Sequence, residues 1–301
     1  MDERRTIVDT AVPSADAGIH GGLGDGPAVP FGARIAPPVP TEPMVAAQRG
    51  YRLVDGPYAV AHRGGGGLAT ENTMLAFERS CALGIRYLET DVQTTSDGVC
   101  VAFHDPWLTR MAGVRARVRD LTWRELSAVP LIGGEPIPRL DEALECFPDA
   151  RFTVDLKDPR GIGPLALTLR RTRAGRRVCV AGSADRWLAD VRAVMGTGVT
   201  TAMGWESLTR LATAARLGVR PIGVVRAPFA HVPLRLRWVP VFVDRLVAMA
   251  HDLGAAVLVW TVDEPGRMHR LLDAGVDGII SDRPDLLRDV LVARNTWAAA
   301  A

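Results

Sequence analysis

The chain has 301 residues, 48% of them apolar, and a formal net charge of +2 at pH 7. That length allows one large domain or two small ones around a substantial core, and near-neutrality argues against nucleic acid as the main partner. Met1 to Gly50 carries no basic start followed by an apolar run, and no stretch reaches the length of a membrane span, so a soluble cytoplasmic protein is expected.

Residues 1–56 are rich in Gly, Pro and Ala and lack a sustained period. Such a composition buries too little apolar surface to offset its ordering entropy, so this stretch reads as a disordered tail, with His20 inert within it. A single catalytic domain is expected over 57–295. From Tyr58 onward strand-like and helical runs alternate: YAVAHR (58–63), a helix over 73–84, RYLETDV (86–92) and VCVAFH (99–104). After a longer interval come RFTVDLK (151–157), a helix near 163–173, RRVCVAG (176–182), a helix near 185–195, GVTTAM (198–203) and a helix over 205–218. A helix over 242–254, AAVLVWTV (255–262), a helix over 265–275, VDGIIS (276–281) and a helix over 284–293 complete the series. Eight strands alternating with helices over about 235 residues predict an α/β fold, a (β/α)₈ TIM barrel rather than an open doubly wound sheet.

The interval from Asp91 to Val99 is too short for a crossover helix, and Asp97-Gly98 is a tight-turn signal. A two-residue turn there sets Asp91 opposite His104; if the chain instead dips and rises again as a parallel strand, His104 still ends that strand beside Asp91. Cys81, Cys100, Cys146 and Cys179 are far apart with no C-x-x-C pair and fall at positions that read as core, so buried reduced thiols are expected.

Glu89 and Asp91 share one face of their strand because side chains alternate with period two. Two carboxylates that close repel unless a cation lies between them. Polar residues gather at the C-terminal strand ends: His62 and Arg63, Glu89 and Asp91, His104, Asp155 and Lys157, Trp260 and Thr261, then Asp282. In a (β/α)₈ barrel those ends converge on one mouth, where active sites sit. Glu89, Asp91 and Asp155 are hard oxygen donors that suit Ca²⁺ or Mg²⁺ better than zinc. Arg63 and Lys157, the only lysine among 36 basic residues, flank that acidic cluster as a phosphate site requires. The glycines at 64–67 permit close backbone approach to a ligand, and two histidines at one mouth can accept and donate a proton.

Structural readings stand beside these. Glu89 and Asp91 could form an ion pair with Arg63 or Arg86, each histidine could be a hydrogen-bonded core residue, and Lys157 could be a surface residue. Asn72 could cap the helix that follows it, and Trp260 could be core. His231, His251 and His269 read as structural or surface.

The segments "AHRGGGGLATENT", "YLETDVQTTSDGVCVAFHD", "GGEPIPRLDEAL", "FTVDLK", "VLVWTV" and "GVDGIISDRP" resemble the glycerophosphodiester phosphodiesterase family, in family order across roughly Tyr58 to Val292. The resemblance implies a distorted barrel of the phospholipase C-like phosphodiesterase type and one divalent cation, Ca²⁺ or Mg²⁺, on Glu89, Asp91 and Asp155. It implies His62 and His104 as the acid–base pair, Arg63 and Lys157 on phosphate, and Trp260 lining the pocket for the alcohol group. Asp155 stands where the family often has Glu, which shortens that arm by one methylene and resembles the spider-venom phospholipase D branch. Thr70 replaces the usual Pro before Glu71-Asn72-Thr73.

The expected activity is metal-dependent hydrolysis of glycerophosphodiesters to glycerol 3-phosphate and an alcohol. One alternative is a lysophospholipase D-like enzyme at a membrane surface, with "APFAHVPLRLRWVPVFV" (227–243) as a loop in transient contact with lipid. The other is a non-catalytic phosphoester-binding barrel, whose signature would be a lost histidine or acid; neither is lost.

Overall fold

The computed structural model describes residues 50–53, 56–236, 239–240 and 243–297. Eight parallel strands form the barrel: β1 (Tyr58–Ala61), β2 (Tyr87–Thr94), β4 (Arg151–Leu156), β5 (Val178–Gly182), β6 (Thr200–Thr201), β7 (Phe229–Pro233), β10 (Ala256–Trp260) and β11 (Gly278–Ser281). β3 (Cys100–Ala102) pairs antiparallel with β2, and β8 (Arg235–Leu236) with β9 (Val239–Pro240) forms a separate ribbon. The order β6-β5-β4-β2-β1-β11-β10-β7 is closed by the parallel bridge Ala202–Phe229 and a 2.8 Å bond from Met203 N to Phe229 O. The barrel strands are nearly continuous apolar runs, as strands covered on both faces must be.

Helices cover the outside: α1 (Met74–Ala82), α4 (Leu140–Cys146), α5 (Ile162–Arg171), α6 (Asp185–Met195), α7 (Trp205–Leu217), α8 (Val243–Asp252), α9 (Pro265–Asp273) and α10 (Pro284–Ala293). Two short helices, α2 (Thr109–Ala112) and α3 (Trp123–Leu126), lie in an insertion between β3 and α4. The insertion has a core of its own around Phe103, Leu108, Val118, Leu126 and Ile137. No helix among the described residues is long and apolar enough to cross a membrane.

Eight barrel strands are present as the sequence implies, but one member differs. The run 99–104 leaves the ring as the antiparallel β3, and its place is taken by β7, within the segment expected to be a loop. Three prolines (Pro228, Pro233 and Pro240) and two arginines (Arg235 and Arg237) in that segment disguise the strand, since proline ordinarily argues against a central strand. Phe229, Ala230, His231, Val232 and Pro233 are all buried, so this part of 227–243 cannot reach lipid. The rest of that segment lies partly outside the described residues.

The hairpin register also shifts by one. Val92 pairs with Ala102 and Thr94 with Cys100, so Phe103, not His104, lies opposite Asp91, with a 2.9 Å bond from Phe103 N to Asp91 O. The turn spans Ser96-Asp97-Gly98, closed by Thr95 N to Val99 O, and Gly98 takes φ +82°. A three-residue loop with a left-handed glycine replaces the two-residue turn.

The N-terminal ends of the strands close on an aromatic cluster of Tyr58, Tyr87, Phe229 and Tyr51, with ring centroids 5.0–5.7 Å apart. Tyr51 is fully buried and shares a 2.7 Å hydrogen bond with Thr153 Oγ1, while Leu53 N donates to Tyr87 Oη. Residues 50–53, assigned to the tail by composition, therefore plug the barrel floor; the expectation for residues 1–49, His20 included, lies outside the described residues. Cys100 and Cys179 are buried and Cys81 half-buried, but Cys146, at the end of α4, is exposed, contrary to expectation.

Candidate active site

His62, Arg63, Glu89, Asp91, His104, Asp155, Lys157 and Trp260 all line one cleft at the C-terminal ends of the strands, together with Thr153, Trp205 and His231. Barrel register explains the convergence. Asp91 on β2 pairs directly with Asp155 on β4, and Glu89 with Thr153, so three carboxylates face the same interior. Like charges opposite one another destabilise a sheet. The Lys157 ammonium lies between them, 2.7 Å from Asp91 Oδ1 and 2.6 Å from Asp155 Oδ2. Burial alone would lower the Lys157 pKa, but the two carboxylates outweigh it and hold the amine well above its ordinary value.

The Arg63 backbone N–H donates to Glu89 Oε2 at 2.8 Å and Nη1 to Glu71 Oε1 at 2.9 Å. Its Nε lies 3.3 Å from Asp91 Oδ2 without the alignment of a hydrogen bond, and is buried with no other partner. The expected Arg63 pairing is thus present at Asp91, whereas Arg86 donates to Cys81 O instead. Burial, reinforced by Asp91, raises the Glu89 pKa, and burial also raises that of Asp155. At Asp91 burial acts in the same direction but is outweighed by Lys157 and Arg63, which keep the carboxyl below its usual range.

Each imidazole is anchored through one nitrogen. His62 Nδ1 lies 2.8 Å from Asp282 Oδ1, and His104 Nδ1 lies 2.6 Å from Asp105 Oδ1. An ionised carboxylate only accepts, so Nδ1 carries the proton in both rings and Nε2 is left for a ligand. Asp105 is steadied by Arg110 Nε at 2.6 Å, and Arg110 also grips Glu71. Trp260 donates Nε1 to His231 O at 3.1 Å, and its ring lies 6.3 Å from Trp205 and 6.5 Å from His62.

Several site residues escape the sequence reading. Asn72 is not the helix cap; Thr73 is, its side chain accepting from Ala76 N. Buried Asn72, at φ +57°, donates Nδ2 to Asp91 Oδ2 at 2.9 Å and accepts from Thr90 Oγ1 at 2.7 Å. Glu71, Asp105 and Arg110 brace the cations and imidazoles, and only their adjacency to the motifs hinted at it. His231, read as structural or surface, is buried in the cleft wall with no side-chain hydrogen bond among the described residues, and burial pushes its pKa down to about 4. The glycines at 64–67 answer packing more than ligand approach: a Cβ on Gly64 would lie 2.6 Å from Phe77, and one on Gly67 2.7 Å from Asp282 O.

The donor chemistry of Glu89, Asp91 and Asp155 fits a hard divalent cation, three carboxylates of which two are pushed toward protonation by surroundings that such an ion would relieve. As placed, Lys157 spans two of them, and among the described residues no three His, Cys, Asp or Glu side chains are grouped for joint ligation.

A (β/α)₈ barrel whose mouth joins two anchored imidazoles to an arginine, a lysine and three acids defines a phosphoester-processing class of site. Residues 62–286 match the model of the Glycerophosphoryl diester phosphodiesterase family. Over 249 residues the chain is 39% identical to Probable glycerophosphodiester phosphodiesterase 2 of Mycobacterium tuberculosis, covering 81% of this chain and 94% of that protein. It is 25% identical to a human lysophospholipase D, covering 77% and 85%. A phosphodiesterase from Oleispira antarctica, solved in complex with the product sn-glycerol-3-phosphate, superposes with a TM-score of 0.63 at 21% identity, covering 79% of this chain and 97% of that one. The chain belongs to the glycerophosphoryl diester phosphodiesterase family and is a phosphoric diester hydrolase.

Proposed function

We propose that the protein hydrolyses glycerophosphodiesters to glycerol 3-phosphate and an alcohol by paired-histidine acid–base catalysis, with one divalent cation, Ca²⁺ or Mg²⁺, held by Glu89, Asp91 and Asp155. The observation that carries this reading is the pair of imidazoles on one cleft, each fixed through Nδ1 to a carboxylate. One ring takes the proton of the nucleophile as it attacks phosphorus: water gives glycerol 3-phosphate directly, whereas the substrate's own glycerol hydroxyl gives a cyclic phosphate that water then opens to glycerol 3-phosphate. The other protonates the alkoxide oxygen as the bond from phosphorus to the alcohol breaks.

Arg63, with its buried, unsatisfied Nε, offers a donor that a phosphate oxygen would complete. Lys157 places a second positive charge beside the same group. When bound, the cation supplies Lewis-acid polarisation of a phosphoryl oxygen. Trp260 and Trp205 form an aromatic wall for the alcohol.

A second reading, cleavage of lysophospholipids, is supported by the human relative's name. It no longer has the whole of 227–243 as a lipid-contacting loop, because Phe229–Pro233 is buried. Both readings are tested by treating the purified protein with EDTA and restoring Ca²⁺ or Mg²⁺ separately. Glycerol 3-phosphate release from glycerophosphocholine is expected only with metal restored, at a rate above choline release from lysophosphatidylcholine. The reverse preference supports the second reading. No product from either substrate supports the non-catalytic barrel, and full activity in EDTA contradicts the metal requirement.

A further inference from the structure

A second groove adjoins the cleft, with His104 and Lys157 lining both. Its outer wall belongs to the insertion. Two extended stretches meet there, paired by the antiparallel bridge Trp107–Arg117 and by bonds from Leu108 N to Ala116 O and Val118 N to Pro106 O. This pairing stacks the Arg117 guanidinium 4.4 Å above the Trp107 ring. Stacking fixes the fork without neutralising it, and Arg117 has no carboxylate partner among the described residues. Arg119 also lines the groove, with a long contact of 3.7 Å to Asp120 and a longer-range attraction to Asp158. The one acid lining it, Asp158, is already held by Arg160 through Nη2 at 2.6 Å and the backbone N at 2.9 Å. The groove therefore carries surplus positive charge, an oriented guanidinium and a partly exposed indole face, directly beside the reacting centre.

We propose that this groove binds a second anionic group, a phosphate carried on the alcohol half of the substrate, with Arg117 and Arg119 as its donors and Trp107 as the platform beside it. The inference rests on the phosphodiesterase reading above for the placement of the first phosphate. It makes phosphorylated polyol diesters the favoured substrates, and Arg117 and Arg119 specificity residues rather than catalytic ones.

The test compares kcat/KM for glycerophosphoinositol and glycerophosphoinositol 4-phosphate in the wild-type protein, Arg119→Gln, and the double variant Arg117→Gln/Arg119→Gln. The wild type is expected to favour the 4-phosphate by about tenfold, the scale of one good charged contact. Arg119→Gln should lose part of that preference and the double variant all of it. Turnover of glycerophosphoinositol should stay within about twofold, and the preference should shrink as salt is raised. Equal kcat/KM in the wild type, or an undiminished preference in both variants, overturns the proposal. If the wild type cleaves neither compound, glycerophosphocholine turnover decides the phosphodiesterase reading, and calorimetry with inositol 1,4-bisphosphate against inositol 1-phosphate decides the groove by itself. Tighter binding of the bisphosphate that disappears in the double variant supports it; equal affinities overturn it.

Discussion

The Nδ1 of His62 lies 2.8 Å from the Oδ1 of Asp282, a residue 220 positions away. The contact exists because the first and last strands of the barrel are neighbours: β1 pairs with β11 in parallel register, Ala61 beside Ser281, so the residues following the two strands meet at the mouth. Burial alone would discourage a proton on His62. The Asp282 hydrogen bond and the charges of Glu89 and Asp282 outweigh it, and the imidazole pKa ends above its ordinary value.

Asp282→Asn removes the charge that raises His62. The His62-linked limb of the pH–rate profile should therefore move to lower pH, whether that ring serves as acid or base, and kcat should fall by about tenfold or more. A pH profile with unmoved limbs would show that Asp282 does not tune His62.

Asn72 joins Thr90 and Asp91 from a left-handed backbone position. Asn72→Gly keeps the backbone accessible but leaves buried groups unpaired, so urea unfolding should register a loss of about 1–3 kcal/mol. Asn72→Ala should cost more, because a Cβ is strained at φ +57°. Equal losses for the two variants would contradict the strain argument.

Tyr51 plugs the floor beneath Thr153, a residue that also lines the cleft. Tyr51→Phe removes only the bond to Thr153 and should cost about 1 kcal/mol, whereas Tyr51→Ala opens a cavity worth about 3–5 kcal/mol. A stability unchanged in Tyr51→Ala would mean that residues 50–53 are not part of the folded unit.

His231 titrates near 4 in the folded protein and near 6.5 when unfolded. Between those values the unfolded chain binds the extra proton, so stability is complete above about pH 6.5 and declines as pH falls toward 4, by at most roughly 3 kcal/mol. His231→Gln lacks this dependence. The stability difference between wild type and variant should shift in the variant's favour between pH 7.5 and 4.5, and a difference independent of pH would contradict the neutral buried ring.

The alternating apolar runs revealed the barrel, and the polar residues at their ends revealed the mouth, because burial on both faces leaves charge nowhere else to stand. What stayed hidden depended on partners distant in sequence. His231 looks like any histidine until β7 is recognised, and β7 is masked by Pro233 at its end and Pro228 just before it. Asn72 resembled a cap because its true partners, Thr90 and Asp91, belong to another strand. The register beside Asp91 slipped because one positive-φ glycine lengthened the turn. Tyr51 was lost in a Gly/Pro-rich context that says nothing of the aromatic floor beneath β1, β2 and β7.

The most direct test of the paired-histidine account is release of glycerol 3-phosphate by purified His62→Ala and His104→Ala, measured beside the wild type with thermal unfolding as the control for folding. The account requires each variant to keep its cooperative transition while kcat falls by about a hundredfold or more. Near wild-type turnover in either folded variant would contradict it.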